Sequence, residues 1–323
     1  MSNPSHGSVA ARLTDWQPPT ITDLSHVPTG DMPGDKVVIG EQHVAKATTV
    51  FRALVPLVQP MLDGSAPGKA VIAVHGGSGV GKSEVGSLLA HYFNALEISA
   101  YVMSGDNYPH RIPKDNDHER LLVFREAALK GLVAAGEFTH ERNAVLHGLQ
   151  AQEQDANPAH VSAHPWLAAY QAAGRTGLMG YLGTPRETDF AEVSRLLAEF
   201  KAGRSPLMLK RMGRDASTLW YDAVDMSRIR VLVIEWTHGN NDHLHGVDIP
   251  ILLNSTPQET LAHRRARNRD GAVDSPFTTM VLEIEQGLLA SQAHKAKLIV
   301  SKAGDIVSHA DFTARMAAEA AAQ

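Results

Sequence analysis

A short glycine-rich segment, HGGSGVGKSE at residues 75–84, contains the residue types that hold a phosphate chain. Its spacing Gly76-x4-Gly81-Lys82-Ser83 fits the pattern GxxxxGK[ST]. Glycines let consecutive backbone N–H groups turn toward an anion, and the start of a following helix adds partial positive charge. A lysine there reaches the β- and γ-phosphates, and a serine hydroxyl coordinates Mg²⁺. The segment predicts a site for ATP and Mg²⁺ formed by Gly76, Gly77, Ser78, Gly79, Val80, Gly81, Lys82, Ser83 and Glu84.

The surroundings of this segment favour phosphate binding over the alternative, a glycine-rich turn with an incidental lysine. An apolar run of the strand type, 70–74, precedes it, and the helical pattern EVGSLLAHYF follows it. An NKxD-like guanine-reading motif of GTPases is not present, the nearest stretch being SKAGD at 301–305, and no LSGGQ-like ABC signature occurs. These observations point to the small-molecule kinases, with GTP in place of ATP left open.

Two acidic residues stand where strands are expected to end. Asp106 lies in SGDNYPHR after the apolar run 97–104, and Glu235 follows the apolar run IRVLVI. Doubly wound sheets bind ligands at the carboxyl ends of their strands. We expect Asp106 to take the proton from an acceptor hydroxyl and Glu235, with Ser83, to hold Mg²⁺, directly or through water. The alternatives are a turn aspartate and a solvent-exposed strand-end glutamate. The next polar or aromatic residues are predicted to contact the acceptor: Tyr108, His110 and Arg111.

The most basic stretch, HRRARNRD, is predicted to lie in a lid over 256–273. Arginines in such a lid neutralise charge on the transferring phosphoryl group. The alternative is a solvated helix face. The stretch LKRMGR adds Arg211, which is expected to contact phosphate or an acidic group of the substrate. The arginines of the lid are Arg264, Arg265, Arg267 and Arg269.

Elsewhere, short apolar runs alternate with helical patterns, which is typical of a doubly wound α/β domain. Apolar runs without polar alternation indicate strands buried on both faces of a parallel sheet. The predicted strands are 70–75, 97–104, 229–236, 248–253 and 297–301. The predicted helices are 81–95, 118–135, 189–203, 256–268, 277–294 and 309–321.

The N-terminal 68 residues are predicted to form an arm and a helix. Residues 1–34 are rich in proline and small polar residues, which indicates an irregular arm. An amphipathic helix is expected over 40–62, kinked or ended near Pro56 and Pro60. The kinase-type domain then spans 69–323, and its segment 118–188 is predicted to be a helical insertion that covers the substrate.

Composition excludes several other classes. The net charge of −5 and the pI near 6.4 give no overall basic field for nucleic acid or anionic lipid. The chain has no cysteine, so disulfides and thiolate metal sites are excluded. Neither a signal-peptide pattern nor an apolar run long enough for a membrane span occurs. We therefore expect a cytoplasmic protein with no nucleic-acid or membrane partner.

In this order, HGGSGVGKSE, SGDNYP, RVLVIEW and RRARNRD resemble the motifs of the phosphoribulokinase/uridine kinase family of P-loop kinases. The resemblance covers about 69–308, with a gap across roughly 118–188. It implies a five-stranded parallel sheet flanked by helices, and a homodimer. It also implies a second substrate aspartate, Asp189, and catalytic roles for Lys82, Asp106, Glu235, Arg265 and Arg269. Contacts for a uracil base are not recognisable, so the resemblance does not imply uridine as the acceptor.

Two functions are consistent with these patterns. The first is a kinase that moves the γ-phosphoryl group of ATP to a hydroxyl of a sugar, nucleoside or related metabolite. The second is a nucleotide-dependent switch or assembly ATPase without a small-molecule acceptor. The combination of Asp106 with an arginine lid favours the kinase, because both suit transfer to a positioned hydroxyl. The identity of the acceptor is left open.

Overall fold

The structure is a computed structural model that describes residues 9–21, 23–64, 68–255, 259–260 and 275–321. The chain divides into two compact units. The first unit comprises residues 1–108, 190–255 and 289–323. The second unit comprises residues 109–189 and 256–288.

The strands within the described residues form one large sheet and one hairpin. They are β1 (Ala70–Gly76), β2 (Ala100–Ser104), β3 (Leu207–Met212), β4 (Leu219–Val224), β5 (Val231–Glu235), β6 (Ile249–Leu253), β7 (Leu298–Val300) and β8 (Ile306–Val307). The α-helices there are α1 (Val9–Thr14), α2 (Glu41–Asp63), α3 (Lys82–Ala95), α4 (Pro113–Ala134), α5 (His140–Ala151), α6 (Leu167–Met179), α7 (Phe190–Lys201), α8 (Pro276–Gln292) and α9 (His309–Ala321).

The large sheet has the order β2-β5-β1-β6-β7-β8. Its first five strands run parallel, and the short β8 pairs antiparallel with β7. Every residue of β1, β5 and β6 is buried, which explains why their sequences are continuous apolar runs. These five parallel strands are the ones expected from the sequence, so the predicted α/β class is confirmed.

One face of the sheet is covered by α3 together with α1 and α2 from the N-terminal segment. The ring centroids of Trp16 and Phe51 are 4.6 Å apart, and those of Phe51 and Phe93 are 4.8 Å apart. Trp16 follows α1, Phe51 belongs to α2, and Phe93 belongs to α3. The N-terminal segment therefore contributes aromatic side chains to the core of the first unit.

Helix α2 does not end at Pro56 or Pro60 but continues to Asp63. Both prolines lie on the exposed side of the helix, one turn apart, while Leu54 and Val58 are fully buried. A proline removes one backbone N–H and crowds the carbonyl four residues earlier. The burial of the apolar side of α2 in the core outweighs that cost, because each buried aliphatic side chain contributes about 1.5–3 kcal/mol.

The opposite face of the sheet packs against α7 and the antiparallel hairpin β3–β4. The hairpin was not expected from the sequence, because β4 is mostly exposed and lacks the alternation of a half-buried strand. In β4 the side chains of Leu219, Trp220 and Tyr221 are 42–49% exposed.

The second unit is helical and has its own core, formed by α4, α5, α6 and part of α8. Helices α4 and α6 approach closely: a β-carbon at Gly177 would lie 2.2 Å from the Ala127 β-carbon. This unit contains the segment predicted as a helical insertion. In the part of the chain that the structure describes, no helix is long and apolar enough to cross a bilayer.

Candidate active site

The glycine-rich loop joins the end of β1 to the start of α3. Gly76 ends the strand, and a β-carbon there would lie 2.3 Å from the Leu253 carbonyl oxygen in β6. Gly81 precedes α3 with φ 94°, a left-handed conformation that favours glycine. Both glycines are therefore required by the backbone, and the predicted strand–loop–helix arrangement for phosphate is present.

Lys82 and Ser83 occupy the first turn of α3. Lys82 Nζ donates a hydrogen bond to the Gly77 carbonyl oxygen at 3.0 Å, which places the ammonium group over the loop. Ser83 Oγ donates to Glu235 Oε2 at 2.9 Å. The loop therefore has a cation and a hydroxyl–carboxylate pair at the start of the helix.

Glu235 ends β5 and is only 3% exposed. It is the register partner of Ser104 at the end of β2, and β1 lies on its other side. Burial and the negative charge of Asp106 raise the pKa of Glu235 to about 8. The hydroxyls of Ser104 and Ser83 and the ammonium of Lys82 act in the opposite direction. A cation beside this carboxylate would strongly favour its ionised form.

The side chains at this position fit Mg²⁺. Ser83 and Glu235 offer hard oxygen atoms, and Mg²⁺ usually takes one or two protein ligands and completes its shell with waters and substrate phosphates. Among the described residues no cluster of three or more histidine, aspartate or glutamate side chains could hold a metal ion alone.

Asp106 lies in the 3-10 turn Gly105–Asn107 that directly follows β2. Its side chain is exposed, while both neighbours in the turn are buried. A β-carbon at Gly105 would lie 2.0 Å from Cγ of Trp236, so the indole ring packs directly on the backbone of the turn. Ser104 and Glu235 are the last residues of β2 and β5, and they are register partners in adjacent parallel strands. Asp106 follows two residues after Ser104. The predicted base and the predicted metal ligand thus lie at the same end of adjacent strands.

Two predicted acceptor contacts are engaged in the interior of the first unit. Tyr108 is fully buried in the core beside α7, and burial raises its pKa. Arg211 donates to Asp31 at 2.8 Å and to Asp222 at 3.0 Å, and its side chain is 7% exposed. Tyr108 therefore packs in the interior, and Arg211 is an internal ion-pair partner. Their roles toward an acceptor stay predictions, and the burial of one residue in a turn has no signal in the sequence.

Three other predicted contacts belong to the second unit. His110 is exposed, and its Nε2 lies 2.9 Å from the Pro185 carbonyl oxygen. Arg111 donates to the hydroxyl of Tyr181 at 3.1 Å. Asp189 is half-buried and directly precedes α7. Their roles toward an acceptor stay predictions.

The predicted lid falls mostly outside the described residues. All four of its arginines, Arg264, Arg265, Arg267 and Arg269, lie in the range 261–274, which the structure does not describe. Their role, including the catalytic role of Arg265 and Arg269, stays a prediction.

Comparison with known proteins gives one clear relative. The chain is 38% identical over 249 residues to a bifunctional alpha-galactosidase/sucrose kinase from Mediterraneibacter gnavus. The match covers 77% of this chain but 22% of the relative, so the chain spans about a fifth of that protein. The matched stretch must include residues 75–249, because only 74 of the 323 residues lie outside it. The glycine-rich loop and both strand-end carboxylates therefore fall within the relationship.

The chain is a P-loop α/β protein. No protein-family profile matches it. A solved structure of a proposed fructose transport system kinase from a Silicibacter species aligns with a TM-score of 0.41 and 17% identity, covering 80% of this chain and 93% of the other. A proposed uridine kinase from Bacillus stearothermophilus aligns with a TM-score of 0.40 and 13% identity, covering 77% and 98%. Both TM-scores are low. The α/β fold is established by the strand order β2-β5-β1-β6-β7-β8 and the strand–loop–helix arrangement of the glycine-rich loop.

The site of this P-loop protein also includes residues that sequence reasoning missed. Asp31, in the N-terminal segment, accepts hydrogen bonds from the Ser104 backbone N–H and the Asn107 side chain, which flank Asp106. Burial raises the pKa of Asp31, while the Ser104 N–H and the Arg211 guanidinium act in the opposite direction. A single aspartate in a proline-rich arm carries no sequence signal, since the residues that it contacts lie at least 70 positions away.

Proposed function

We propose that this P-loop protein is a kinase that transfers the γ-phosphoryl group of ATP to a hydroxyl group of a small molecule, in the first place a sugar. The observation that carries the proposal is the placement of three groups at one end of the sheet. The phosphate loop follows β1, Glu235 ends β5 and bonds Ser83, and Asp106 follows β2. A nucleotide loop beside an exposed carboxylate is what transfer to a positioned hydroxyl requires.

Each group has a distinct task in this proposal. The loop N–H groups and Lys82 Nζ bind and orient the phosphates. Ser83 and Glu235 would hold Mg²⁺, which would supply positive charge to the transferring phosphate chain. Asp106 accepts the proton of the acceptor hydroxyl and aligns its oxygen with the phosphorus atom. The geometry favours this transfer because Asp106 is exposed to solutes while Glu235 is buried.

The relative supports a sugar as acceptor. Its name joins two activities, and only phosphoryl transfer needs a nucleotide. The matched stretch of this chain includes the phosphate loop, which is the feature that a kinase requires and a glycosidase does not. Sucrose is therefore the first acceptor to test. No observation in the described residues favours a switch or assembly ATPase.

The test is ADP release with Mg²⁺ and ATP, and separately GTP, in the presence of sucrose, fructose, glucose, galactose or uridine. We expect a sugar to raise ADP release well above the rate without acceptor, and ³¹P NMR to show a new phosphate monoester. The variant Asp106→Asn, purified in parallel, controls for contaminating kinases. It is expected to lose at least about 100-fold in kcat, because a general base contributes about 10²–10⁴-fold.

Binding of ATP separates the two parts of the proposal. Asp106→Asn is expected to bind ATP within about threefold of the wild type, since the carboxylate does not belong to the loop. Wild-type turnover in Asp106→Asn would remove Asp106 from the mechanism. ATP binding without a response to any sugar would contradict the sugar kinase, and a response to uridine alone would assign a nucleoside acceptor.

A further inference from the structure

We infer that Asp31 is a positioning residue that holds the Asp106 turn in place, so that the N-terminal segment is a working part of the active site. The inference rests on the proposed function for its kinetic consequence. Its structural basis is independent of that function, because it comes from the contacts of one buried carboxylate. The side chain of Asp31 is 8% exposed.

The carboxylate of Asp31 accepts four hydrogen bonds. Oδ1 accepts from the Ser104 backbone N–H at 2.8 Å and from Asn107 Nδ2 at 2.9 Å. Oδ2 accepts from the Tyr101 hydroxyl at 2.9 Å and from Arg211 Nη1 at 2.8 Å. An ionised carboxylate only accepts and has about four lone-pair positions, so four donors satisfy it. This arrangement is that of an anion built into the structure.

Two of these donors stand on either side of Asp106. Ser104 ends β2 and Asn107 ends the 3-10 turn, so one carboxylate oxygen ties together both ends of the turn. Asn107 continues the connection, since its Oδ1 accepts from the Met212 backbone N–H of β3 at 2.9 Å. Asp106 itself is exposed between these anchored neighbours. The direction of its side chain therefore depends on the anchor.

The backbone of Gly30, next to Asp31, lies close to Glu235, the predicted metal ligand. A β-carbon at Gly30 would lie 3.1 Å from Glu235 Oε1 and 3.6 Å from the Ser104 β-carbon. The arm therefore passes directly beside the carboxylate of Glu235, and this close approach contributes to its burial. One short stretch of the arm thus contacts both strand ends that carry the proposed chemistry.

Asp222 provides a matched control. Arg211 bonds both carboxylates, Asp31 at 2.8 Å and Asp222 at 3.0 Å, but Asp222 lies in β4 and its side chain is 50% exposed. Removing either carboxylate weakens the hold on Arg211. Only the removal of Asp31 also releases the Asp106 turn. A comparison of the two variants therefore separates the turn from the ion pair.

The experiment measures kinetics with Mg²⁺-ATP and sucrose in Asp31→Ala, Asp31→Asn, Asn107→Ala and Asp222→Asn. We expect Asp31→Ala to lower kcat about 10–100-fold with the KM for ATP within about threefold, because misplacement by about 1 Å costs up to about 100-fold. Asp31→Asn keeps one acceptor oxygen for Ser104 and Asn107 and is expected to be intermediate. Asp222→Asn is expected to stay within about twofold of the wild type.

A double variant tests whether Asp31 and Asn107 act as one anchor. Because their side chains bond each other, Asp31→Ala combined with Asn107→Ala is expected to cost little more than the worse single change. Fully multiplicative losses would show that the two residues act separately. Thermal unfolding of each variant checks that a loss of kcat does not come from a loss of folded protein.

Hydrogen exchange without any ligand keeps the inference testable if sucrose is not the acceptor. Faster exchange of a peptide covering 101–108 is expected in Asp31→Asn and not in Asp222→Asn. No turnover in the wild type would contradict the sucrose kinase but leave the exchange result decisive for the anchor. Unchanged exchange in Asp31→Asn, or wild-type kcat in Asp31→Ala, would overturn the inference.

Discussion

At the scale of single residues, Glu235 combines a buried position with a negative neighbour. It is 3% exposed, and its largest perturbation is burial, followed by the charge of Asp106. Its pKa of about 8 stands well above the ordinary value of 4.5. Ionised Glu235 without a cation beside it therefore lowers the free energy of unfolding. A metal ion bound next to the carboxylate would offset that loss.

The pH dependence of stability follows from that shift. Between about pH 4.5 and pH 8, folded Glu235 keeps its proton while unfolded Glu235 has lost it. The free energy of unfolding contributed by this group therefore falls as the pH rises through that interval. We expect Glu235→Gln, which cannot ionise, to gain at least about 1 kcal/mol relative to the wild type between pH 5 and pH 8. Denaturant unfolding with EDTA measures the difference.

A matched control is Glu126→Gln on the exposed surface of α4. The Lys130 hydrogen bond lowers the pKa of Glu126, so its removal should not produce a gain that grows with pH. A difference between Glu235→Gln and the wild type that is constant from pH 5 to pH 8 would contradict the raised pKa of Glu235.

At the scale of elements, the ends of β2 and β5 are locked together by Trp236. The indole is 1% exposed and packs on the backbone of Gly105, while its other neighbours include Phe190 of α7 at 5.2 Å between ring centroids. The turn that carries Asp106 thus takes its position from a side chain that follows a different strand. A methyl group at Gly105 has no room without movement of either the ring or the turn.

We expect Gly105→Ala to lower kcat at least about 10-fold while ATP binding stays within about threefold. The added carbon also overpacks the core and is expected to cost about 1–3 kcal/mol of stability. Kinetics with Mg²⁺-ATP and sucrose measure the first effect, and thermal unfolding measures the second. The control is Gly148→Ala in α5, where a β-carbon meets nothing within 4 Å and should stabilise the helix by about 0.5–1 kcal/mol. Wild-type kcat in Gly105→Ala would show that the turn tolerates displacement.

At the scale of the whole molecule, the described residues form separate apolar clusters on the two faces of the sheet and among the helices of the second unit. A buried ion-pair cluster belongs to the second unit. Arg120 bonds Glu187 at 2.6 Å and Glu285 at 3.5 Å, and the Glu187 side chain is 1% exposed. Burial alone would lower the pKa of Arg120, but the surrounding carboxylates outweigh it and raise that pKa. The guanidinium is therefore needed to balance them.

We expect Arg120→Met to destabilise the second unit by about 3–5 kcal/mol, because it leaves a buried carboxylate without its cation. Hydrogen exchange should quicken in α4 and α6, with little change in β1 and β6. Lys130→Met is the control in the same helix, since its pair with Glu126 is exposed to solvent and should contribute little to stability. Equal acceleration in β1 and β6 would show that the two units unfold together.

The sequence by itself determined the features that depend on neighbouring residues. The phosphate loop needs glycines, a lysine and a serine in one short stretch, and the buried parallel strands are continuous apolar runs. For that reason the loop, the five parallel strands and the two carboxylates that follow or end them, Asp106 and Glu235, can be located from the sequence alone. The helix α2 was also expected, although its path through Pro56 and Pro60 was not.

Only the tertiary structure decided which distant side chains meet. Asp31 and Arg211 lie 180 positions apart in the chain, and they form an internal ion pair. Packing between elements likewise determines the burial of Tyr108, the pairing of β3 with β4, and the contact of Trp236 with Gly105. Periodicity and spacing report which face of one element is apolar, but contacts between elements depend on how those faces pack. The role of the N-terminal segment therefore became visible only in the folded chain.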